Sequence, residues 1–226
     1  MIVARDMGLV IDGRPILDGV SFTVARGEAV ALVGANGSGK TSILRCLLGL
    51  VPFTGRAAIG GHDVVRNGVA ARALVGYVPQ KTAFGDVRAA EVLTFVAKLR
   101  RLPGARVAEA LAEVGLAAHA DGRVRTFSGG MQQRLALAVA LLGAPPVLVL
   151  DEPSASLDRE GQAAFVEMLT RLRRGGYTLL LASHRSEEVG ALTDRVLHVE
   201  RGRLGGATAP HEGRVIAIGA RIEAHR

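Results

Sequence analysis

The sequence contains one cysteine, no tryptophan and few aromatic residues, which make up 4% of its 226 residues. A single cysteine excludes an internal disulfide and a zinc site built from several thiolates. No apolar run is long enough to span a bilayer, and the N-terminus lacks the charged and then apolar pattern of a signal peptide. We therefore expect a soluble, cytoplasmic protein in which Cys46 is a small core residue.

Basic residues, nearly all of them arginine, outnumber acidic residues and give a formal net charge of +7. This balance favours an anionic partner, such as nucleic acid, a membrane surface or a nucleotide. The arginines are spread along the chain, however, and no aromatic residues interleave with them as a stacking platform for single-stranded nucleic acid would require. Hydrophobic residues make up 49% of the chain, which is enough for the core of one domain, or of one domain with a small subdomain.

The segment at residues 34–41, GANGSGKT, matches the pattern G-x-x-x-x-G-K-[ST] of a phosphate-binding loop. An apolar run at 28–33 precedes it and helical spacing at 41–48 follows, so the loop connects a strand to a helix. Its glycines let the backbone turn N–H groups inward, where the helix dipole also favours an anion. We expect Lys40 to reach the β- and γ-phosphates and the Thr41 hydroxyl to hold Mg²⁺. The predicted nucleotide contacts are Gly34, Ala35, Asn36, Gly37, Ser38, Gly39, Lys40, Thr41 and Ser42.

Two further segments carry residue types that are used in phosphate chemistry. Asp151 and Glu152 follow an apolar strand, at the carboxyl end where α/β sheets bind ligands. Asp151 is suited to hold Mg²⁺ through water, and Glu152 to polarise an attacking water. Residues 128–130, Ser-Gly-Gly, begin an apolar helix whose first N–H groups are suited to a phosphate. Taken alone, the first segment is also typical of a solvated loop and the second of an ordinary helix cap.

The order of predicted elements indicates an α/β core with two appended layers. Strands are predicted at Ile2–Val10, Val20–Ala25, Glu28–Val33, Arg56–Ile59, Val75–Val78, Val147–Leu150, Thr178–Ala182 and Val196–Glu200. Helices are predicted within Ala89–Leu116, with a break at 102–104, and at Met131–Leu142 and Gly161–Arg174. The tail beyond Gly202 is rich in Gly and Ala, and one short strand is expected there at Val215–Ile218.

The ordered set of a phosphate loop, Ser-Gly-Gly-x-Gln at 128–132 and a buried strand ending in Asp-Glu resembles the ATP-binding-cassette (ABC) ATPase family. The resemblance extends from about Ile2 to Arg203. It implies an α/β fold with a P-loop NTPase core and a mostly parallel sheet, an N-terminal antiparallel β subdomain and a small α-helical subdomain. The whole chain, 1–226, would form one ATPase domain, with the helical subdomain at roughly 85–145 and a short tail at 204–226. The implied cofactors are ATP and Mg²⁺.

The resemblance also assigns roles to single residues. Gln80 matches the glutamine of the Q-loop, which would contact Mg²⁺ and the attacking water, and Asp158 matches the D-loop. His184 matches the switch histidine that contacts the γ-phosphate, and Glu152 would be the catalytic base. Ile11 stands where the family usually has an aromatic residue that stacks on adenine. The fifth signature position, usually Gln, is Met131.

The resemblance implies a mechanism that requires two cassettes. They would pair head to tail, so that ATP held by Lys40 and Thr41 of one meets Ser128, Gly129 and Gly130 of the other. Since both halves of the site are present in this chain, a homodimer is favoured. The short helical stretch between Gln80 and Ser128 is similar to transporter cassettes, which implies a transmembrane permease partner at the inner face of the cell membrane and no nucleic acid. Residues 91–103 resemble small export-type cassettes, so export is favoured over import.

Two other classes remain as alternatives. A soluble ABC ATPase that acts on nucleic acid or ribosomes would carry a long coiled coil or a zinc module before the signature, or two cassettes in one polypeptide. This chain has neither the length nor the cysteines for those insertions. A P-loop kinase or GTPase would lack the Ser-Gly-Gly element, and the Asn-Lys-x-Asp guanine motif is absent from the sequence.

Overall fold

The computed structural model of the protein describes residues 1–208, and the strand predicted at Val215–Ile218 lies outside them. The strands are β1 (Ile2–Ile11), β2 (Arg14–Val24), β3 (Ala29–Val33), β4 (Thr54–Ile59), β5 (His62–Asp63), β6 (Val75–Val78), β7 (Val147–Asp151), β8 (Thr178–Ala182), β9 (Arg195–Glu200) and β10 (Arg203–Thr208). The α-helices are α1 (Lys40–Leu47), α2 (Gly68–Ala73), α3 (Ala89–Leu99), α4 (Ala105–Glu113), α5 (Gly129–Leu141), α6 (Arg159–Arg174) and α7 (Ser186–Leu192). The chain divides into a first unit, Met1–Arg72 with the chain from Thr178 onward, and a second unit, Ala73–Tyr177.

The first unit begins with an antiparallel sheet in the order β2-β1-β4-β5. Ile2 of β1 pairs with Val24 of β2 and with Ile59 of β4, and all three side chains are buried. Polar residues occur between the buried positions of β1, as expected for an antiparallel sheet with one packed face and one solvated face.

The first unit also contains the strand that leads into the phosphate loop. β3 pairs in parallel with β8 on one side and with β9 on the other, and β10 extends β9 in the antiparallel sense. All five residues of β8 are buried, as are the first four of β3, which explains their uninterrupted apolar sequences. Helix α1 contacts β8 as well as β2 and β4, and buries Ile43, Leu44 and Leu47.

The second unit contains a parallel pair of strands and most of the helices. β6 and β7 pair with Val75 opposite Val147 and Val78 opposite Leu150. Helix α5 packs against β6 so closely that a Cβ at Gly76 would lie 2.5 Å from the carbonyl oxygen of Ala140. Helices α3 and α4 contact each other and α5. This packing places the start of α5 and the end of β7 in the same unit.

The structure confirms the predicted α/β class, with an antiparallel sheet, mostly parallel strands elsewhere and helices. Cys46 is fully buried, as predicted. Burial raises the pKa of its thiol to about 11. Among residues 1–208, no helix is both long enough and apolar enough to cross a membrane.

Several element boundaries were wrong or missed. β2 begins at Arg14 rather than Val20, because pairing with β1 holds its first half extended despite Pro15 and Gly19. β10 was not predicted, since its glycines are poor strand formers and its extended form depends on pairing with β9. The short elements β5, α2 and α7 were also missed, because two to seven residues are too few to show the hydrophobic periodicity of a strand or a helix.

Candidate active site

The phosphate loop lies between β3 and α1 in the first unit. Gly37 and Gly39 adopt φ values of 78° and 111°, in the left-handed region that glycine tolerates without strain. The Lys40 side chain is buried, and its Nζ donates to the carbonyl oxygens of Gly34, at 2.8 Å, and Ala35, at 3.2 Å. The loop therefore curls around the lysine ammonium, which is the arrangement that a phosphate-binding loop needs.

Two observations test whether this loop fits a phosphate. The Ser38 hydroxyl is buried, and its Oγ has no hydrogen-bond partner within the described chain. A buried polar atom of this kind requires an explanation, and an oxygen-rich ligand would provide one. Helix α1 is preceded by Gly39, which offers no side-chain cap, so the dipole and donors of its first turn are suited to an anion. Both features fit the phosphates of a nucleotide.

Gly202, in the turn between β9 and β10, supports this loop from outside. Its N–H donates to the carbonyl oxygen of Ser38, and its own carbonyl accepts from the N–H of Asp18, both at 2.9 Å. Its φ is +77°, and a Cβ there would lie 2.1 Å from the carbonyl oxygen of Ile16. Gly202 was not predicted as a functional residue, because its only signal in the sequence is a glycine in a two-residue turn between apolar runs.

His184 also belongs to the first unit. It is exposed and follows β8 by two residues, and Ala182 at the end of β8 lies opposite Leu32 of β3. Because β3 and β8 are parallel neighbours, His184 and the start of the phosphate loop lie at the same edge of the sheet. Ile11 ends β1 and is 46% exposed, which is compatible with a contact to a ligand but does not itself indicate one.

The carboxylates lie in the second unit, and they follow a buried strand, as the sequence predicted. Asp151 is the last residue of β7 and Glu152 follows it, with exposed fractions of only 2% and 7%. Glu152 has a φ of 48°, which is uncommon for a residue other than glycine. Backbone conformations of this kind cost about 1–3 kcal/mol and cluster at functional sites.

Gln80 is exposed and follows β6 by two residues. Since Val78 of β6 pairs with Leu150 of β7, Gln80 lies at the same sheet edge as Asp151 and Glu152. The second unit thus brings three of the predicted catalytic or metal-binding residues to one edge.

The Ser-Gly-Gly signature starts α5, and its serine is the N-cap residue. The Ser128 hydroxyl accepts from the N–H of Met131 at 3.2 Å, which confirms the predicted cap. Ser128 and Gly129 are exposed, and a Cβ at Gly129 would lie 3.4 Å from the carbonyl oxygen of Ser156. Asp158 caps α6 by accepting from the N–H of Gly161 at 2.8 Å. The signature and the predicted D-loop are therefore neighbours in the second unit.

A metal ion would depend on ligands beyond the protein side chains. Among residues 1–208, no group of three or more His, Cys, Asp or Glu is arranged to hold one. Mg²⁺ commonly binds through one or two protein oxygens together with substrate phosphates. The hydroxyl of Thr41, the carboxylate of Asp151 and the amide oxygen of Gln80 are donors of the kind that Mg²⁺ prefers.

A strand, a glycine-rich loop around a buried lysine, and a helix define a P-loop nucleotide-binding protein. The family model described as "ABC transporter" matches residues 17–155. The chain therefore belongs to the ABC transporter family, as one of its ATP-binding, ATP-hydrolysing domains.

Individual relatives agree with this assignment. The zinc import ATP-binding protein ZnuC of Ruegeria pomeroyi is 39% identical over 198 residues, which cover 87% of this chain and 74% of that protein. The Nod factor export ATP-binding protein I of Ralstonia nicotianae is 37% identical over 205 residues, covering 88% and 64%. The structure of cbiO1 from Clostridium perfringens, part of the ABC transporter complex cbiONQ, matches with a TM-score of 0.84 and 27% identity, covering 92% and 88%.

Proposed function

We propose that this protein is the ATP-hydrolysing subunit of a membrane transporter and works with a separate transmembrane permease subunit. The observation that carries the proposal is the phosphate loop, in which the buried Lys40 ammonium is held by the carbonyl oxygens of Gly34 and Ala35. The loop provides ATP binding, and the family supplies the link to transport.

The first unit would bind the phosphates. Residues 34–42 would surround them with backbone N–H groups, Lys40 would neutralise β- and γ-phosphate charge, and Thr41 would offer its hydroxyl to Mg²⁺. Bound Mg²⁺ would supply further charge neutralisation at the phosphate oxygens. His184 would contact the γ-phosphate, and Ile11 would contact the base without the stacking that an aromatic ring provides.

The second unit would contribute the hydrolytic groups. Glu152 would accept a proton from the attacking water, and Asp151 and Gln80 would offer oxygen atoms to Mg²⁺. Burial of Glu152 supports its assignment, because a carboxylate with little access to solvent interacts more strongly with the groups that it contacts.

We also propose that two copies of the chain form the working enzyme. The exposed Ser128 and Gly129, with the partly exposed Gly130, leave the start of α5 accessible to a second copy. These residues, together with Asp158, would meet the ATP held by the partner's phosphate loop. The permease would hold the dimer at the inner face of the membrane. Relatives named for import and for export match to a similar degree, so similarity favours neither direction, and export remains a prediction from residues 91–103.

The first test is Glu152→Gln, which keeps the shape of the side chain and removes the base. We expect ATP affinity to be retained and turnover to fall by about 10²–10⁴-fold, the usual effect of losing a general base. Glu160→Gln is the matched control, because Glu160 is an exposed glutamate in the first turn of α6. Turnover and nucleotide affinity are measured on the purified proteins.

Normal turnover in Glu152→Gln would remove Glu152 from the mechanism. The transport link is tested with the same variant. When tagged Glu152→Gln is purified from detergent-solubilised membranes with ATP, we expect a protein with several membrane spans to accompany it. Recovery of ribosomes or nucleic acid instead would contradict the permease partner and support a soluble ABC ATPase.

A further inference from the structure

We propose that Glu188 is a positioning residue for His184 and acts through the hydroxyl of Ser183. The inference rests on the proposed function, in which His184 contacts the γ-phosphate. Glu188 lies four residues beyond His184, in the first turn of α7, and is 4% exposed. It is not assigned any contact with ATP or with the attacking water.

Ser183 is held in place by burial and by a backbone hydrogen bond to β3. It is fully buried, and its N–H donates to the carbonyl oxygen of Leu32 at 3.1 Å. Leu32 belongs to β3, the strand that leads into the phosphate loop. The residue immediately before His184 is therefore held against the strand that positions the loop.

The Ser183 hydroxyl makes two hydrogen bonds. It donates to Oε2 of Glu188 at 2.5 Å, and it accepts from the N–H of Arg185 at 3.2 Å. The first distance is typical of a charge-assisted O–H···O⁻ bond, which is stronger than a neutral one. The backbone on both sides of His184 is thus restrained through one hydroxyl, and Glu188 fixes the direction in which that hydroxyl donates.

A carboxylate suits this task better than a neutral side chain. An ionised carboxylate only accepts, so the Ser183 hydroxyl must donate to it and its lone pairs face the N–H of Arg185. A glutamine could turn its NH₂ group toward the hydroxyl and reverse the bond. Glu188 also lies at the N-terminus of α7, where the helix dipole favours a negative charge.

These hydrogen bonds would affect catalysis by setting the position of His184. His184 is exposed, and it lies between Ser183 and Arg185, the two residues that the Ser183 hydroxyl links. A shift of the backbone at these two residues would therefore displace the histidine ring. Since a displacement of about 1 Å can reduce turnover by up to about 100-fold, loosening these two residues should lower kcat.

The test alters the same hydrogen bond from each side: Glu188→Gln removes the charge that fixes its direction, and Ser183→Ala removes the hydroxyl. We expect each variant to lower kcat about tenfold with ATP affinity unchanged. The losses in the double variant should be less than additive, because both changes act on one interaction. Glu187→Gln is the matched control, since Glu187 precedes Glu188 in the same helical turn and is exposed.

A second readout does not depend on activity. The chain has six histidines, and ¹³C-labelled histidine gives an NMR signal for each ring; the signal of His184 is assigned from His184→Asn. We expect Glu188→Gln and Ser183→Ala to shift or broaden this signal, while the signal of His62 and all signals in Glu187→Gln stay unchanged.

An unchanged His184 signal in both variants would overturn the inference, as would a shifted signal with unchanged turnover. Strictly additive losses in the double variant would also overturn it. If the His184 signal shifts but the wild-type protein does not hydrolyse ATP, the positioning role stands and the proposed function fails.

Discussion

Helices α1 and α5 both have glycines at their N-termini, yet the two helix ends are built differently. At α1 the cap position is glycine, the Lys40 side chain is buried in the loop, and Gly202 supports the loop through Ser38. At α5 the Ser128 hydroxyl caps the helix by accepting from Met131, and Ser128 and Gly129 are exposed.

The difference concerns how much of each helix N-terminus is enclosed by the chain itself. The phosphate loop obtains its lysine, its turns and its support from one unit of one chain. The start of α5 has its own cap, and its first residues, Ser128 and Gly129, are exposed. A helix N-terminus with glycines is therefore part of an enclosed loop at α1 and of an exposed surface at α5.

The largest effect is expected when the two sites are disabled in separate chains. Lys40→Ala and Ser128→Arg should each reduce turnover by at least about 100-fold, because each removes contacts to transferring phosphate groups. If the α5 surface completes the loop of a second copy, mixing the two inactive proteins should restore activity, since a mixed dimer contains one intact site. Turnover of the mixture is compared with that of each variant alone.

The control mixture combines Lys40→Ala with Thr41→Ala. Both changes lie in the phosphate loop, so every site in a mixed dimer carries a defect and no activity should return. If turnover returns in this control mixture, or does not return in the first mixture, the start of α5 does not complete the phosphate loop of a second copy.

A smaller effect should follow from removing the support of the loop. Gly202→Ala places a Cβ 2.1 Å from the carbonyl oxygen of Ile16 at a φ of +77°. Left-handed backbone costs an alanine about 1–2 kcal/mol, and overpacking adds to this, so the free energy of unfolding should fall by about 2 kcal/mol or more. ATP affinity should fall as well, because Ser38 loses its hydrogen bond to the turn.

Gly205→Ala is the matched control, as a Cβ there meets nothing within 4 Å. Denaturant unfolding and nucleotide titration are measured on both variants. Equal losses in the two would show that the close contact at Gly202 does not support the loop.

The smallest effect concerns Cys46 on α1, whose thiol has a pKa raised by burial to about 11, from an ordinary value of 9.0. Because the folded protein holds this proton more tightly than the unfolded chain, the associated stability is present below pH 9 and is lost as the pH rises through about 11. Thermal unfolding from pH 8 to pH 11 should therefore show a steeper loss of stability in wild type than in Cys46→Ala. Identical pH profiles would mean that α1 is less well packed than the fully buried cysteine indicates.

Much of the site could be predicted because its chemistry is local. The phosphate loop needs closely spaced glycines and one lysine, and Asp151 and Glu152 need only a buried strand before them. Gly202 and Glu188 could not be found in this way. Gly202 matters because it contacts β2 and the phosphate loop, which are distant from it in the sequence. Glu188 matters because it accepts a hydrogen bond from the Ser183 hydroxyl, and it lies on α7, a helix that was not predicted.

The same reasoning applies to the fold. The bounds of β7 and β8 were predicted to within a residue, because strands that are buried on both faces have mostly apolar residues along their whole length. The beginning of β2 and the whole of β10 are extended because of their partners, so their own residues carry little of the signal.

The pairing of β3 has a consequence for biosynthesis. Both of its hydrogen-bonding neighbours, β8 and β9, are made near the end of the chain, after the whole of the second unit. At roughly 5–20 residues per second, an apolar segment with two unpaired edges waits for several seconds on the ribosome before its partners emerge. Such edges invite pairing with other chains. The strand that leads into the phosphate loop is thus exposed to aggregation until β8 is made, and a chain that terminates before β8 would never leave that state.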